Sequence, residues 1–570
     1  MKSKKIATTL LTVSLISSMA LVGCGGNNGS GSSGAQNENG EGKLDSNQYV
    51  NLILQSEPKT IDQSKSSDSY SSQILTNCQE GLTRIIQDEN GQGKIEAGLA
   101  EKWEMSEDGL KWTFHLRDAK WSDGETVTAD QFVYAITRTL SPETASKYSF
   151  LLSPILNADE YNGGNATAED VGVKAIDDKT LEFTLKAPCA YFLDLTYFKV
   201  MQPQRKDIVE KHGDMYGTEA NTMAFVGPFT ITEWVHNSKV EFAKNENYWD
   251  ADNVKLEKAT MKIIKESNAA MQELYSGSLD MAGVNKPEWI EKLDATGQFN
   301  VLKGYDASTT YTFFNQSEKV DGEINIFSNE KVRKAFIIAE KREEKIATLR
   351  KGLGEPALSF CPPSVQIGGE DYRTKVDYLP VQDLINENSD PKALLVEGLK
   401  ELGLEGDPSK VTINYLQSGT DTTAKEFAEF QQQAYEEVLG VKVEIEYVEW
   451  AVFTTRTDRK EYQVAGMGWT GDYNDPNTYL DMWTSTAGIV PTGWSNEAYD
   501  ELIAKAGAST DENERAELFK QAEKILVYED GVISPETWRV KNTYVRNYVK
   551  NYSNPLFGTI DLKYTYTSGR

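Results

Sequence analysis

The chain has little of the chemistry that most enzymes and metalloproteins carry. Its 570 residues include three histidines and four cysteines. His115, His212 and His236 are far apart, and none has a cysteine or carboxylate at the spacing of a metal-binding motif. The common zinc-protease, serine-hydrolase and phosphate-loop motifs are missing from the sequence. Catalytic groups can converge in space without a motif, so an enzyme is not excluded, but we expect a protein that performs no catalysis and uses neither cofactor nor metal.

Cysteine is too scarce for a disulfide-stabilised scaffold. Apart from Cys24 the chain has Cys78, Cys189 and Cys361, so at most one disulfide can form among these three. We expect all three to be buried thiols, which pack as small apolar side chains. A single disulfide is the alternative.

One acidic segment begins like a calcium-binding loop. In Asp472-Tyr473-Asn474-Asp475 the first positions carry suitable oxygen ligands, but Asn477 stands where the sharp turn of such a loop needs glycine. A turn capped by Asp and Asn side chains explains the segment better. We therefore expect no metal at this place.

Positive charge is also scarce. The 59 lysines and arginines are outnumbered by 87 aspartates and glutamates, which gives a formal net charge of -28 at pH 7. So acidic a surface repels nucleic acid and anionic lipid headgroups. We expect neither as a binding partner.

The one long apolar stretch lies at the N-terminus. Three lysines within the first five residues precede the apolar stretch 6–19, and Gly23 stands immediately before Cys24. This is the pattern of a secretory signal with a lipoprotein-type cleavage site. The stretch contains too many threonines and serines for a clean transmembrane span, which needs about 20 apolar residues.

This N-terminus predicts how the protein is anchored. The signal peptide would be 1–23, Cys24 would carry the lipid, and 24–43 would be a flexible tether, because it consists of Gly, Ser, Asn, Gln and Glu with few apolar residues. We therefore expect a globular body at the extracytoplasmic face of the cell membrane, on the outer surface of a Gram-positive-type cell, attached through its lipid alone.

Helical and alternating patterns succeed one another along the body, so the fold class is α/β, mixed with α+β. Alternating apolar residues in 110–116 predict a strand. Thr128 and Gln131 form a capping-box pattern at the start of a predicted helix. Further on, a strand predicted at 441–448 follows a helix at 427–438. The apolar face of that helix is predicted to carry Phe427, Phe430, Ala434 and Val438.

A series of motifs rich in glycine and aromatic residues runs through the body in a fixed order. These motifs are Ala97-Gly98-Leu99-Ala100-Glu101-Lys102-Trp103, Ser106-Glu107-Asp108-Gly109, Trp112-Thr113-Phe114, Trp121-Ser122-Asp123-Gly124, Asn247-Tyr248-Trp249, Ser276-Gly277-Ser278-Leu279-Asp280, Val332-Arg333-Lys334-Ala335 and Gly468-Trp469-Thr470-Gly471-Asp472-Tyr473-Asn474-Asp475-Pro476. Together they resemble the family 5 extracellular solute-binding proteins, and among these the oligopeptide-binding lipoproteins of ABC importers. The resemblance covers about residues 50 to 570.

The resemblance implies a periplasmic-binding-protein-like fold of type II, cluster C, with three domains. Lobe I would be assembled from 44–79, 204–307 and 540–570. Domain II would be 80–203, and lobe III would be 308–539. The ligand would be enclosed between lobes I and III, which close on it by a hinge.

The resemblance also implies how a ligand is held. A peptide of arbitrary sequence offers only its backbone and its ends as constant features, so a general binder pairs with it as an added strand. In similar proteins the segment matching Gly468, Trp469 and Thr470 provides one such edge, and the positions of Val284 and Asn285 provide another.

Charge and aromatic contacts complete the implied site. In similar proteins the aspartate that matches Asp472 receives the free amino group of the peptide; a turn-capping role is the alternative for this residue. Tyr134, Tyr311 and Trp450, together with Trp469, match aromatic residues that line the side-chain pockets. Ordinary core packing is the alternative for each of them. Tyr473 is expected to serve as core or hinge packing beside the ligand.

The chain departs from the enterobacterial pattern where the peptide carboxylate falls. Those proteins have basic side chains at two positions that here are Gly466 and Ala424. Arg456 is close in sequence and is a possible substitute. We expect that the carboxylate is not bound at the two lost sites, so that longer peptides can extend outward.

These expectations combine into a monomeric, lipid-anchored receptor. It would capture oligopeptides through their backbone and amino group and deliver them to an ABC permease, whose ATPase subunits supply the energy. The alternatives are the same fold binding a dipeptide, sugar, haem or nickel, or a peptide sensor or chaperone without import. The scarcity of histidine disfavours nickel, and a sugar would not need an amine anchor such as Asp472.

Overall fold

The computed structural model describes residues 43–87, 93–350 and 353–570. The predicted signal peptide, the lipid site Cys24 and the predicted tether up to residue 42 lie outside this described part. Within it, no helix has both the length and the apolar composition to cross a membrane.

The described chain alternates between helices and strands. The helices are α1 Ser69–Cys78, α2 Ala129–Leu140, α3 Ala158–Asn162, α4 Phe192–Leu195, α5 Lys206–His212, α6 Ser267–Ser276, α7 Pro287–Asp294, α8 Glu330–Ala339, α9 Arg342–Lys345, α10 Tyr372–Lys375, α11 Pro380–Glu387, α12 Pro391–Glu401, α13 Thr422–Leu439, α14 Trp450–Asp458, α15 Asn477–Leu480, α16 Glu497–Ala508 and α17 Glu512–Glu523. The strands are β1 Tyr49–Leu54, β2 Thr83–Gln87, β3 Gly93–Ala97, β4 Ala100–Met105, β5 Lys111–Leu116, β6 Val173–Asp177, β7 Thr180–Thr184, β8 Phe229–Val235, β9 Lys239–Lys244, β10 Lys258–Ile263, β11 Met281–Gly283, β12 Phe299–Phe314, β13 Lys319–Val320, β14 Glu323–Ile324, β15 Glu355–Pro356, β16 Gln366–Ile367, β17 Glu370–Asp371, β18 Thr412–Ser418, β19 Lys442–Val448, β20 Val464–Thr470, β21 Ile533–Arg546, β22 Val549–Lys550 and β23 Tyr566–Thr567.

Three larger sheets organise these elements. One has the order β1-β10-β9-β8, and a second has the order β4-β5-β7-β6. The third has the order β11-β21-β12-β20-β18-β19, with β15 added on β21. Parallel and antiparallel pairs occur together in this third sheet. The mixed α/β class predicted from the sequence is therefore confirmed.

Two local predictions hold in detail. In β5 the side chains of Trp112, Phe114 and Leu116 are buried while the residues between them are not, as the alternation predicted. At the start of α2, the backbone N–H of Thr128 donates to Oε1 of Gln131 at 3.1 Å, which is one half of the predicted capping box. Short-range patterns thus fix these elements because they depend on near neighbours only.

Of the face predicted to be buried in the helix around 427–438, Ala434 is buried and Val438 packs against the core, but Phe427 and Phe430 are not buried. The helix forms as α13, but its buried side chains are Ala428, Gln431, Ala434, Tyr435 and Leu439. Phe427 instead lines a cavity, under the guanidinium of Arg350 at 4.9 Å from the ring centroid. An apolar side chain that faces a cavity cannot be told from a core residue by periodicity.

The three cysteines of the body are free and buried, as expected: Cys78, Cys189 and Cys361. Burial raises the pKa of the Cys189 thiol to about 12. All three therefore behave as apolar packing groups.

Two long antiparallel strands run the length of the third sheet. β12 and β21 pair from Phe299 opposite Arg546 to Phe313 opposite Ile533, with two register shifts, one between Tyr305 and Thr309 and one between Thr310 and Tyr311. The lobe boundaries expected at 307/308 and 539/540 fall inside these two strands. They are the connections that would join lobes I and III; the three-domain division itself stays a prediction.

Candidate ligand-binding cleft

A large cavity of about 1250 Å³ opens beside the third sheet. Its walls come from the start of α1, the segment before α5, the segment after β11, the start of α13, helix α14 and strand β20. Pockets for small molecules are usually roughly 300–1,000 Å³, so this one has room for a larger ligand. Polar and apolar side chains both line it.

Strand β20 offers an incompletely paired edge to this cavity. On one side, β12 pairs with every residue of β20. On the other side, β18 pairs only with Val464, Ala465 and Gly466. The remaining part, 467–470, therefore has a strand partner on one side only among the described residues, and all four of its residues line the cavity. Such an edge can bind an extended chain through backbone hydrogen bonds.

Asp472 lies two residues beyond the end of this edge and lines the same cavity. Its Oδ1 accepts a long hydrogen bond of 3.5 Å from the hydroxyl of Tyr148. Its Oδ2 is buried and has no hydrogen-bond partner in the described structure. Burial raises the pKa of Asp472, although Lys199 and the hydroxyl of Tyr148 lower it. A carboxylate held in this way is ready to accept a hydrogen bond from a cationic donor.

The backbone of Asp472 is held firmly, although its carboxylate is not. Its N–H donates to Oγ1 of Thr478 at 2.9 Å, and its carbonyl accepts from the hydroxyl of Tyr197 at 2.9 Å. These contacts come from two separate regions of the chain. They position the carboxylate without satisfying it.

Most of the residues predicted for the site do line the cavity. They are Asn285, Tyr311, Trp450, Gly468, Trp469, Thr470 and Asp472. Trp469 donates its indole N–H to the carbonyl of Thr478 at 2.9 Å, which fixes the ring. Tyr311 is fully buried in the wall of the cavity and directs its hydroxyl at Sδ of Met467, 3.6 Å away. The structure therefore brings together residues that are 187 positions apart, since both Asn285 and Asp472 contribute.

Three of the predicted residues lie elsewhere. Tyr134 lines a separate shallow pocket of about 460 Å³. Val284 is fully buried and uses its backbone to bond with Asn542. Tyr473 is buried, stacks on Tyr191 with ring centroids 4.9 Å apart and donates to Asp481 at 3.0 Å. Val284 and Tyr473 are thus used in packing beside cleft residues, as was expected for Tyr473, whereas Tyr134 belongs to a different pocket.

The two positions that lack a basic side chain do face the cavity. Gly466 and Ala424 both line it. A Cβ at Gly466 would lie 2.4 Å from the hydroxyl of Tyr415, so the tyrosine fills the space that a longer side chain would need. Arg456 does not line the cavity: it pairs with Glu446 at 2.6 Å and donates to the carbonyl of Glu461. The suggested substitution by Arg456 is therefore wrong.

Several cleft residues were missed by sequence reasoning. They include Tyr148, Lys199, Arg350, Phe427 and Arg539. For Lys199 a signal existed, because it is a single lysine between aromatic and apolar residues in the segment 197–201. The others have no such signal, since each belongs to a segment with ordinary composition.

The segment that begins like a calcium loop forms a turn. Oδ1 of Asp475 accepts from the N–H of Asn477 at 2.9 Å, and both oxygens of Asp475 bond to Arg515. In the described part of the chain, no group of three or more His, Cys, Asp or Glu side chains is arranged to hold a metal ion. The turn interpretation is confirmed.

Comparison with known proteins agrees with this geometry. Residues 94–490 match the model of the bacterial extracellular solute-binding proteins, family 5. The chain belongs to this family. It is 34% identical over 531 residues to the oligopeptide-binding protein OppA of Bacillus subtilis, covering 91% of this chain and 92% of that protein. It is also 34% identical to the dipeptide-binding protein DppE of the same organism, covering 96% of each chain.

A solved relative shows a similar structure with a peptide. The structure of Haemophilus influenzae OppA in complex with RPPGFSPFR matches with a TM-score of 0.83 at 27% identity, over 92% of this chain and all of that one. The relatives named here are binding proteins. The family and fold predicted from the sequence motifs are thus both confirmed.

Proposed function

We propose that this protein captures oligopeptides outside the cytoplasmic membrane and delivers them to an ABC permease. The observation that carries the proposal is the combination of an open β20 edge with an unsatisfied carboxylate at its end. The edge would bond to the peptide backbone, and Asp472 would receive the free amino group. The membership of the family and the names of its relatives support a solute of this class.

The cavity supports recognition of peptides of varied sequence. Trp450, Trp469 and Phe427 present aromatic surface, which packs against many shapes without demanding a particular hydrogen bond. A volume of about 1250 Å³ leaves space for side chains beside the peptide backbone. In this role the protein performs no bond chemistry, and the energy for import would come from the permease's ATPase subunits.

The anchoring that we propose is a lipid on Cys24, after removal of residues 1–23. It is supported by the lysines, the short apolar stretch and the small residue before Cys24. The body would then be a monomer on a tether. Loss of membrane attachment in the Cys24→Ala variant, measured by fractionation, would support this; unchanged attachment would contradict it.

The test of peptide capture is thermal unfolding of the purified protein with dipeptides to octapeptides. The protein is first unfolded and refolded, so that carried-over ligand is removed. A peptide at 100 times its dissociation constant stabilises the folded state by about 2.7 kcal/mol, which raises the melting temperature measurably. N-acetylated peptides should give no such rise, because they lack the charge that Asp472 receives.

The matched variant is Asp472→Asn, which keeps the shape and loses the charge. We expect it to lose about 2–5 kcal/mol of peptide binding free energy, measured by calorimetry. Asp458→Asn is a control that changes a carboxylate at the cleft rim. Equal binding of free and acetylated peptides would contradict the role of Asp472, and no binding of any peptide would contradict the function.

A dipeptide is the second candidate ligand, because a dipeptide-binding relative is as similar as the oligopeptide-binding one. The size of the cavity favours longer peptides. The length series distinguishes the two: a dipeptide receptor would respond to dipeptides alone.

A further inference from the structure

Lys199 is a buried cation in the wall of the cleft. It lines the cavity, and only 4% of its surface is exposed. Its ammonium donates to the hydroxyl of Ser72 at 2.9 Å and to the carbonyl of Asp68 at 3.3 Å. An ammonium has three N–H donors. The third has no acceptor among the described residues.

Two other lysines in the described part of the chain with comparably low exposure are paired with a carboxylate. Lys345 pairs with Glu536 at 2.9 Å, and Lys563 pairs with Asp250 at 2.9 Å. Both are as buried as Lys199. Lys199 forms no ion pair with any described carboxylate, which is rare for a buried lysine because the lost hydration is not repaid.

The surroundings of Lys199 connect it to Asp472. Its ammonium lies 5.0 Å from the ring centroid of Tyr148, whose hydroxyl donates to Asp472, and 5.6 Å from the ring of Phe198. The charged groups that face it are Asp68 and Asp472. They raise the pKa of Lys199, but burial outweighs them and lowers it. The nearby carboxylates thus do not compensate the burial of this cation.

Asp472 and Lys199 therefore form two complementary, unpaired charges on one wall of the cavity. They interact electrostatically but do not touch as an ion pair. A ligand group that carries an ammonium and a carboxylate a few bonds apart could contact both. When the cleft excludes water, each contact becomes a charge-assisted hydrogen bond of high strength.

We propose that Lys199 forms, beside Asp472, a subsite for a carboxylate located near the amino end of the bound peptide. The inference rests on the proposed peptide function and adds a specificity to it. The carboxylate can come from an Asp or Glu side chain at the first residue, or from the C-terminus of a dipeptide. Both sources present the same chemistry to Lys199.

The experiment compares Glu-Ala-Ala-Ala with Gln-Ala-Ala-Ala by calorimetry on the refolded protein. The two peptides differ only in the charge of the first side chain. We expect the glutamate peptide to bind at least about tenfold more tightly. Ala-Ala-Ala-Glu and Ala-Ala-Ala-Gln, in which the difference is far from the amino group, should bind equally, which separates a local subsite from a general effect of charge.

Variants assign the preference to Lys199. Lys199→Gln removes the charge and leaves a neutral N–H donor on a side chain one bond shorter, so the preference for glutamate should disappear. Lys147→Met is the matched control, because Lys147 also lines the cleft but is paired with Asp458 at 2.7 Å. It should keep the full preference, and Lys199→Arg should restore most of it.

The outcomes separate the two proposals. Equal binding of the glutamate and glutamine peptides by the wild-type protein overturns the subsite and needs no variant. A preference that persists in Lys199→Gln also overturns it. If no peptide binds at all, it is the peptide function that fails. The affinities of Ala-Ala and Ala-Ala-amide are compared in the same way. If Lys199→Gln weakens the binding of Ala-Ala but not that of the amide, the C-terminal carboxylate of a dipeptide is a source of the contact with Lys199.

Discussion

Asp472 and Asp475 belong to one motif and have opposite environments. Asp475 is buried, and both of its carboxylate oxygens accept hydrogen bonds from Nη2 of Arg515 at 2.8 Å. Its Oδ1 also accepts from the backbone N–H of Asn477. Asp472 has one long hydrogen bond and one buried oxygen without a partner. The same residue type thus maintains the fold at one position and is left available at the other. Partners, and not residue type, decide which carboxylate a ligand can use.

The largest expected effect on stability is that of Asp475, the aspartate whose carboxylate is fully hydrogen-bonded. Asp475→Asn leaves the guanidinium of Arg515 buried without its counter-charge. We expect a loss of about 3–5 kcal/mol in the free energy of unfolding, measured by urea denaturation. Arg515→Met should cost a similar amount, and the double variant should cost less than the sum of the two. A loss below about 1 kcal/mol in both single variants would remove the structural half of the comparison.

Substitution of Asp472, whose Oδ2 has no hydrogen-bond partner, should change the stability in the opposite direction. Asp472→Asn removes a buried, poorly compensated charge, so the ligand-free protein should become more stable by about 1 kcal/mol at neutral pH. Urea denaturation of the refolded protein measures this change. A marked loss of stability would mean that Asp472 is a structural carboxylate like Asp475.

The same variant has a pH dependence with a definite sign. Burial raises the pKa of Asp472 in the folded protein, so the folded state holds the proton more tightly than the unfolded chain. The wild-type protein therefore loses stability relative to Asp472→Asn as the pH rises from about 4, the ordinary value for aspartate, toward neutrality. The stability difference should vanish below about pH 4. A difference that is independent of pH would contradict the unpaired state of Asp472.

The smallest effect is expected for an ion pair that is exposed. Lys147 and Asp458 are paired at 2.7 Å, but more than a third of each side chain is open to solvent. Lys147→Met should change the free energy of unfolding by less than about 1 kcal/mol. This value gives the scale against which the buried pair of Asp475 and Arg515 is judged. A change as large as that of Asp475→Asn would mean that burial is not the deciding factor.

Sequence reasoning succeeded where the signal was local. The alternation in β5 and the capping box of α2 involve residues within a few positions of each other, and both were predicted correctly. The resemblance of the motifs gave the family and brought Asp472 and Trp469 to attention. In the structure, seven of the ten residues predicted for the site line one cavity.

The failures share a cause. Tyr134 and Val284 match cleft positions of the family, but Tyr134 lines a separate pocket and the backbone of Val284 is bonded to Asn542. Phe427 was expected in the core and lines the cleft. Neither a matched position nor periodicity shows whether a backbone is already paired, or whether an apolar side chain faces the core or a cavity.

The sequence by itself determined the acidic character of the chain, the signal-like N-terminus, the succession of helices and strands, and the motifs that identify the family. Only the tertiary structure decided which charges remain unpaired. Tyr148 reaches Asp472 across 324 positions, Lys199 reaches the carbonyl of Asp68 across 131, and Arg515 neutralises Asp475 across 40. Pairing of charges depends on distance in space, and burial sets its strength, so neither can be read from residue order.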